Sequence, residues 1–221
     1  MGLISIEKSN HLYWLGRYTE RAFTTISTFM EAYDRMIDAD PDAYKAVCEK
    51  LNIPDIYGSK EVFIVKYLFD RDDPNSIISN LVRAYDNAMV MRDILTSEAL
   101  SYIHMAMSSM EEAKETPHCL LNLMDVIDNM YAFWGCVDDK VESSSSRNIL
   151  KLGRYVERLD LCIRLDYDRD DVESAYEHMV YRLERSKLTY DEQNLQIVTN
   201  AMSYGDDLRK VLYNINNIFK D

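Results

Sequence analysis

The sequence predicts an all-α bundle of about seven or eight helices with two related halves. Three observations lead there. Apolar residues recur at spacings of three and four along most of the 221-residue chain, and no segment alternates with a strand's period of two. Glycine (6) and proline (4) are scarce, which disfavours a turn-rich β design. Finally, Leu15-Gly16-Arg17-Tyr18-Thr19-Glu20-Arg21 returns as Leu152-Gly153-Arg154-Tyr155-Val156-Glu157-Arg158, six of seven positions identical at an offset of 137.

The elements follow in order. The first helix is expected over about 8–37, with Leu12, Leu15, Thr19, Ala22, Ile26 and Phe29 on one face. Asp40-Pro41 reads as an N-cap followed by proline at the first helical position, opening a short helix that ends before Pro54. Gly58-Ser59 opens a segment carrying Val62, Val65, Tyr67, Leu68 and Phe69. Asp73-Pro74 repeats the cap-then-proline signal before a long helix whose stripe holds Ile78, Leu81, Tyr85, Ala88 and Met89. Thr96 or Ser97 caps a continuation to about Met110. Thr116-Pro117 starts a helix with Leu120, Leu123, Ile127, Met130 and Trp134 on one face.

Ser143 to Ser146 are poor helix formers and read as a linker, the seam before the second repeat at about 147–166. There Ile149, Leu152, Val156, Leu159 and Ile163 reproduce the apolar face of the first copy. A helix over 172–186 follows the acidic stretch from Asp168 to Asp171. Thr189-x-x-Glu192 fits a capping box. A last helix carries Leu195, Val198, Met202, Leu208, Leu212, Ile215 and Phe219. Residues 1–221 are read as one domain built on an internal repeat.

Composition narrows the function classes. Net charge is −13, from 25 basic and 38 acidic residues, the opposite of a nucleic-acid-binding balance. No apolar run approaches the ~18 residues of a membrane span. The start lacks the charged and apolar regions of a signal peptide, and Cys48, Cys119, Cys136 and Cys162 form no C-x-x-C pair. The expected compartment is the cytoplasm, with no nucleic-acid or membrane partner. The 16 tyrosines favour an interaction surface, and the sequence leaves a homo-oligomer open.

The repeated phrase carries the chemistry. On a helix Arg17 and Glu20 are i,i+3 neighbours and Arg17 and Arg21 are i,i+4; Arg154, Glu157 and Arg158 repeat this beside an apolar stripe. Two readings stand side by side. Each arginine crosses to a carboxylate of the other repeat, for example Arg17 to Glu157, with Gly16 and Gly153 letting the helices approach. Alternatively, Arg17, Arg21, Arg154 and Arg158 hold an anionic ligand, with the glutamates positioning them or gripping an amine. An enzyme would use Glu20 and Glu157 as its acid–base pair.

Asp70, Asn75 and Ser76 belong to a polar loop at a helix N-terminus, which is either a cap or an anion site. A carboxylate-bridged metal site needs Glu-x-x-His on two helices. Only Glu115-Thr116-Pro117-His118 has that spacing, and Pro117 breaks its helix, so no metal or other cofactor is expected. Phosphate-binding glycine loops and G-x-S-x-G elbows are absent from the sequence. Cys119 beside His118 reads as a core cysteine, since adjacent helical residues point apart.

Four ordered motifs resemble the bacterial alpha-E family: His11 to Arg21, Tyr67-Leu68-Phe69-Asp70 with Asp73 to Ile77, the run holding Arg83, Asn87, Arg92, Thr96, Ser97 and Glu98, and Leu152 to Asp160. The resemblance covers roughly 10–105 and 130–166. It implies an all-helical domain of unknown activity whose genes lie beside circularly permuted ATP-grasp enzymes and transglutaminase-like proteases. It therefore implies an accessory or substrate-binding subunit of a peptide- or amide-forming system, with an ATP-grasp ligase or transglutaminase-like protein as partner. It also adds Arg83 to the candidate ligand-binding residues. The alternative is a stand-alone enzyme acting on amides or peptides through the paired glutamates. Three departures are visible: the chain is shorter than typical members, no second Asp-Pro-Asn-Ser motif follows Asp166, and Asn10 and Phe23 stand where acids are common. Asp160 keeps that second acid in the other copy.

Overall fold

A computed structural model describes residues 4–116, 119–205 and 207–219. The chain is all-α, with ten helices among the described residues: α1 (Ile6–Asp38), α2 (Ala43–Leu51), α3 (Lys60–Phe69), α4 (Ile77–Val90), α5 (Ser97–Glu115), α6 (Cys119–Lys140), α7 (Ser144–Arg164), α8 (Arg169–Ser186), α9 (Glu192–Tyr204) and α10 (Leu212–Asn216). One 3₁₀ turn, Leu208–Val211, precedes α10. Among these residues no helix is long and apolar enough to cross a membrane.

Side-chain oxygens open most helices. Ser5, Ser59, Ser76, Thr96, Ser143, Asp168 and Asp191 each accept a backbone N–H of the first turn of the helix they precede. Several differ from the caps expected above. Asp40 and Pro41 form a turn instead, with Asp40 Oδ1 accepting the Asp42 N–H, and α2 starts at Ala43. Asp73 is buried, accepts from the Tyr57 hydroxyl at 2.9 Å, and leaves the cap to Ser76. For α9 the cap is Asp191, two residues beyond Thr189.

The serine run is no linker. Ser143 caps α7 and Ser144 to Ser146 are its first turn, where the poor helix propensity of serine matters least because those N–H groups need a cap anyway. The expected last helix is broken: Gly205 at φ +72° ends α9, and α-helix resumes only at Leu212, after the 3₁₀ turn. Met89 lies outside the buried stripe of α4, at 40% exposure. The expected helix start at Pro117 lies outside the described residues, and so does His118.

α1 and α7 are the spine, and they run in the same direction. Their contacts climb in step: Gly16 meets Leu150 and Arg154, Gly153 meets Tyr13 and Arg17, and one turn on Arg17 reaches Glu157 while Arg154 reaches Glu20. Every pair lies close to the 137-residue offset of the repeat, so a pseudo-two-fold relates the two helices. The glycines set the distance. A Cβ on Gly16 would lie 2.0 Å from the Leu150 carbonyl oxygen, and one on Gly153 would lie 2.0 Å from that of Tyr13. Those carbonyls are themselves repeat mates.

Two apolar cores flank the crossing. One gathers Leu12, Leu15, Phe133, Leu152, Val156, Met179 and Ile215. The other gathers Ile26, Phe29, Phe63, Tyr67, Ile78 and Met110. Along α1 the switch between them falls after Leu15 and before Ala22, where Arg17, Thr19 and Glu20 are buried.

Candidate functional site

The charge layer is built from the repeated phrase. Glu157 accepts from Arg17 Nε at 2.6 Å on one oxygen and from Arg21 Nε at 2.5 Å on the other. Glu20 does the same with Arg154 at 3.0 Å and Arg158 at 2.5 Å. The carboxylates are sealed, Glu20 at 1% and Glu157 at 0% exposure. Aromatic faces cover three of the guanidiniums: Arg154 lies 4.3 Å from the Trp134 ring centre, Arg17 lies 5.2 Å from that of Trp14, and Arg158 lies 5.6 Å from that of Tyr155.

Burial alone would push the Glu157 carboxyl up, but Arg17 and Arg21 outweigh it and hold the group below its ordinary range. Burial lowers Arg17 as well, and Glu157 outweighs it to raise the guanidinium above its normal value. Both members therefore stay ionised. The geometry is that of the crossing interpretation, with each arginine reaching the other repeat's glutamate. Four guanidiniums share two carboxylates, leaving the layer with two positive charges in excess.

Two clefts open beside this layer. The first, of about 240 Å³, is lined by Arg21, Thr25, Tyr67, Asn75, Asn80, Asp160, Leu161, Arg164 and Asn216, with Leu51 to Ile53 at the end of α2. Asp160 accepts from Arg164 Nε and from Asn216 Nδ2, both at 2.6 Å. Asn216 in turn accepts from Arg17 Nη2, tying α10 to the charge layer. The second cleft, about 210 Å³, is lined by Glu20, Phe23, Thr24, Ser27, Tyr155, Arg158, Cys162 and residues of α8. The two are repeat mates: Arg21, Thr25, Asp160, Leu161 and Arg164 of the first correspond to Arg158, Cys162, Phe23, Thr24 and Ser27 of the second. One cleft has kept an acid and an extra guanidinium. The other has an aromatic ring and a hydroxyl in their places.

A family model described as "a predicted alpha-helical domain with a conserved ER motif" matches residues 8–204. The chain belongs to the Alpha-E family. The Glu-Arg pairs Glu20-Arg21 and Glu157-Arg158 are here the crossed ion pairs that join the two Alpha-E repeats. No curated protein and no solved structure matches the chain.

The other candidate residues are dispersed. Ser76 is fully buried and occupied: its hydroxyl caps Ser79 N–H and donates to the Asp70 carbonyl at 2.6 Å. Asp70 closes α3, its carboxylate accepting the Asp72 N–H. Arg83 donates to the Pro74 carbonyl and packs on Tyr18. Of this group only Asn75 reaches the polar cleft.

The repeat phrase thus located the charge layer but not the full cleft wall. Arg164 had a legible signal, as the i+4 partner of Asp160. Asn80 and Asn216 had none, because only the tertiary fold brings α4 and α10 to α7. Among the described residues, no three of His, Cys, Asp and Glu gather as a metal site.

Proposed function

We propose that this Alpha-E chain is an accessory, substrate-binding subunit of a peptide- or amide-forming system, working with an ATP-grasp ligase or a transglutaminase-like protein. One observation supports the accessory role above all. Glu20 and Glu157, the residues an acid–base mechanism would need, are each buried under two guanidiniums. A general base must give up such partners to reach substrate, and Glu157, held below its ordinary range, is a weak base at neutral pH. The polar cleft beside the layer is accessible and lined with recognition groups, which fits binding without turnover. The identity of the partner rests on the sequence resemblance and the system it implies.

The test is affinity capture of the chain from its native host at low salt, followed by mass spectrometry. The expected result is stoichiometric recovery of an ATP-grasp or transglutaminase-like protein, with amide-forming activity present only in the complex. Recovery of the chain alone, together with peptide turnover by the purified chain, would favour the stand-alone enzyme.

A further inference from the structure

We propose that the polar cleft binds a small zwitterion, a free amino acid or dipeptide. Its carboxylate meets Arg21 and Arg164, and its ammonium group meets Asn80 and Asp160. This deepens the substrate-binding half of the proposed function and does not depend on which partner the chain serves.

The cationic wall has donors to spare. Arg21 gives only its Nε, to Glu157, and Arg164 gives its Nε and Nη2 to Asp160. Their remaining N–H groups have no hydrogen-bond partner among the described residues. Unclaimed guanidinium N–H groups lining a cleft favour a planar anion. On this side of the layer Arg17, Arg21 and Arg164 face Glu157 and Asp160, so one positive charge is left over for it.

The opposite requirement comes from Asn80. Its amide is 1% exposed, and its Nδ2 donates to the Ser76 carbonyl at 2.7 Å, which fixes the orientation of the group. The other end, Oδ1, is buried with no partner among the described residues. A buried acceptor left unpaired is costly, so the site calls for a ligand that carries an N–H donor. Asp160 adds lone pairs beyond those used by Arg164 and Asn216, and its charge favours an ammonium over a neutral donor. Anion and amine must sit in one molecule small enough for about 240 Å³, below the usual size of a drug-sized pocket. Amino acids and dipeptides meet all three conditions. The repeat-mate cleft has Phe23 and Ser27 where the first has Asp160 and Arg164; Arg158 is its one guanidinium, and its acids, Glu20 and Asp171, stand at other positions.

Calorimetric titration of the full chain tests this, using the common L-amino acids and their glycyl dipeptides, each also as its N-acetyl and C-amide derivative. The expected result is one-to-one binding by at least one free zwitterion. Acetylation and amidation should each weaken it at least tenfold, because a site built on paired polar groups rejects ligands that leave them unpaired. Arg164→Met should weaken it at least tenfold, and Ser27→Ala in the mate cleft should leave it unchanged. If Arg164→Met fails to fold, Asn75→Ala at the same cleft should lower affinity instead.

Absence of binding to the folded chain at millimolar ligand would overturn the proposal. So would inorganic phosphate or acetate binding as tightly as the zwitterions, or equal effects of Ser27→Ala and Arg164→Met. Zwitterion binding without a captured partner would remove the accessory role and leave this site; a captured partner without zwitterion binding would do the reverse.

Discussion

Replacing Gly16 or Gly153 by alanine sets two physical effects of opposite sign against each other. In a helix interior, Gly→Ala gains about 1 kcal/mol through backbone entropy and propensity. At these two sites, however, the new methyl would lie 2.0 Å from a carbonyl oxygen of the facing helix. Ordinary contact begins near 3.4 Å, so α1 and α7 must separate by roughly 1.4 Å. Overpacking of this kind costs about 1–3 kcal/mol. A shift of that size would also stretch the 2.6 Å Arg17–Glu157 bond toward 4 Å, and weakening a buried pair adds up to about 3–5 kcal/mol. With the pair lost as well, the net expectation is a loss of about 3–7 kcal/mol for either variant, against a total of about 5–15. Symmetry requires the two losses to be similar.

Gly135 supplies the internal control. It is exposed within α6, and a Cβ there meets nothing within 4 Å, so Gly135→Ala should gain about 0.5–1 kcal/mol. Urea titration followed by tryptophan fluorescence measures all three. A Gly16→Ala midpoint at or above wild type, alongside the expected gain at Gly135, would refute the close-crossing argument.

Glu157→Gln should cost about 3 kcal/mol, chiefly by leaving buried Arg17 without its anion, since Arg21 is 37% exposed and can be hydrated; Glu20→Gln, which strands Arg154 and the partly exposed Arg158, should cost a similar amount, and chemical denaturation of both variants checks this. Because Glu157 titrates below its ordinary range when folded, its stabilisation is complete above the unfolded value of about 4.3 and drains away as pH falls through the lower folded value. Melting temperatures from pH 7 to 2 should therefore drop in acid, with a shallower drop in Glu157→Gln. Burial pushes the Cys48 and Cys162 thiols up to about 12, and raises Cys136 as well, so none of the three should react with a thiol-specific disulfide reagent at pH 8 until urea is added.

Periodicity and repetition carried the architecture because they are local signals. The faces holding Leu12, Ile26 and Phe29, and their counterparts Leu152 and Ile163, are buried as their spacing requires. Crossing of Arg17 to Glu157 was one of two readings open in the sequence. Choosing between them needed the direction of α7 relative to α1, which no local pattern encodes. Ser59 and Thr96 cap where the sequence placed a helix start, but the other expected caps were legible in kind and not in place. Asp73 looks like a helix cap, yet Tyr57 claims its carboxylate from another segment. The break at Gly205 was hidden because apolar residues continue on both sides of it. Asn216 at the cleft is joined to Arg17 across 199 residues, a relation that only packing can make.

The parallel sense of α1 and α7 constrains how the molecule is made. Parallel neighbours cannot be joined by a short turn; the chain must travel back, and here it does so through α2 to α6. When α1 emerges during synthesis, Glu20 and Arg17 have no counterpart, since the helix that answers them comes 137 residues later. The N-terminal portion can assemble its own apolar core from α1 to α6 while one face of its longest helix waits, charged and hydrated. Closure then joins distant segments of the chain, which is the slow kind of step in folding. The spine of this protein is thus begun by its first helix and completed only by its seventh, and a nascent chain stalled before Arg158 would be folded at one end and open along its middle.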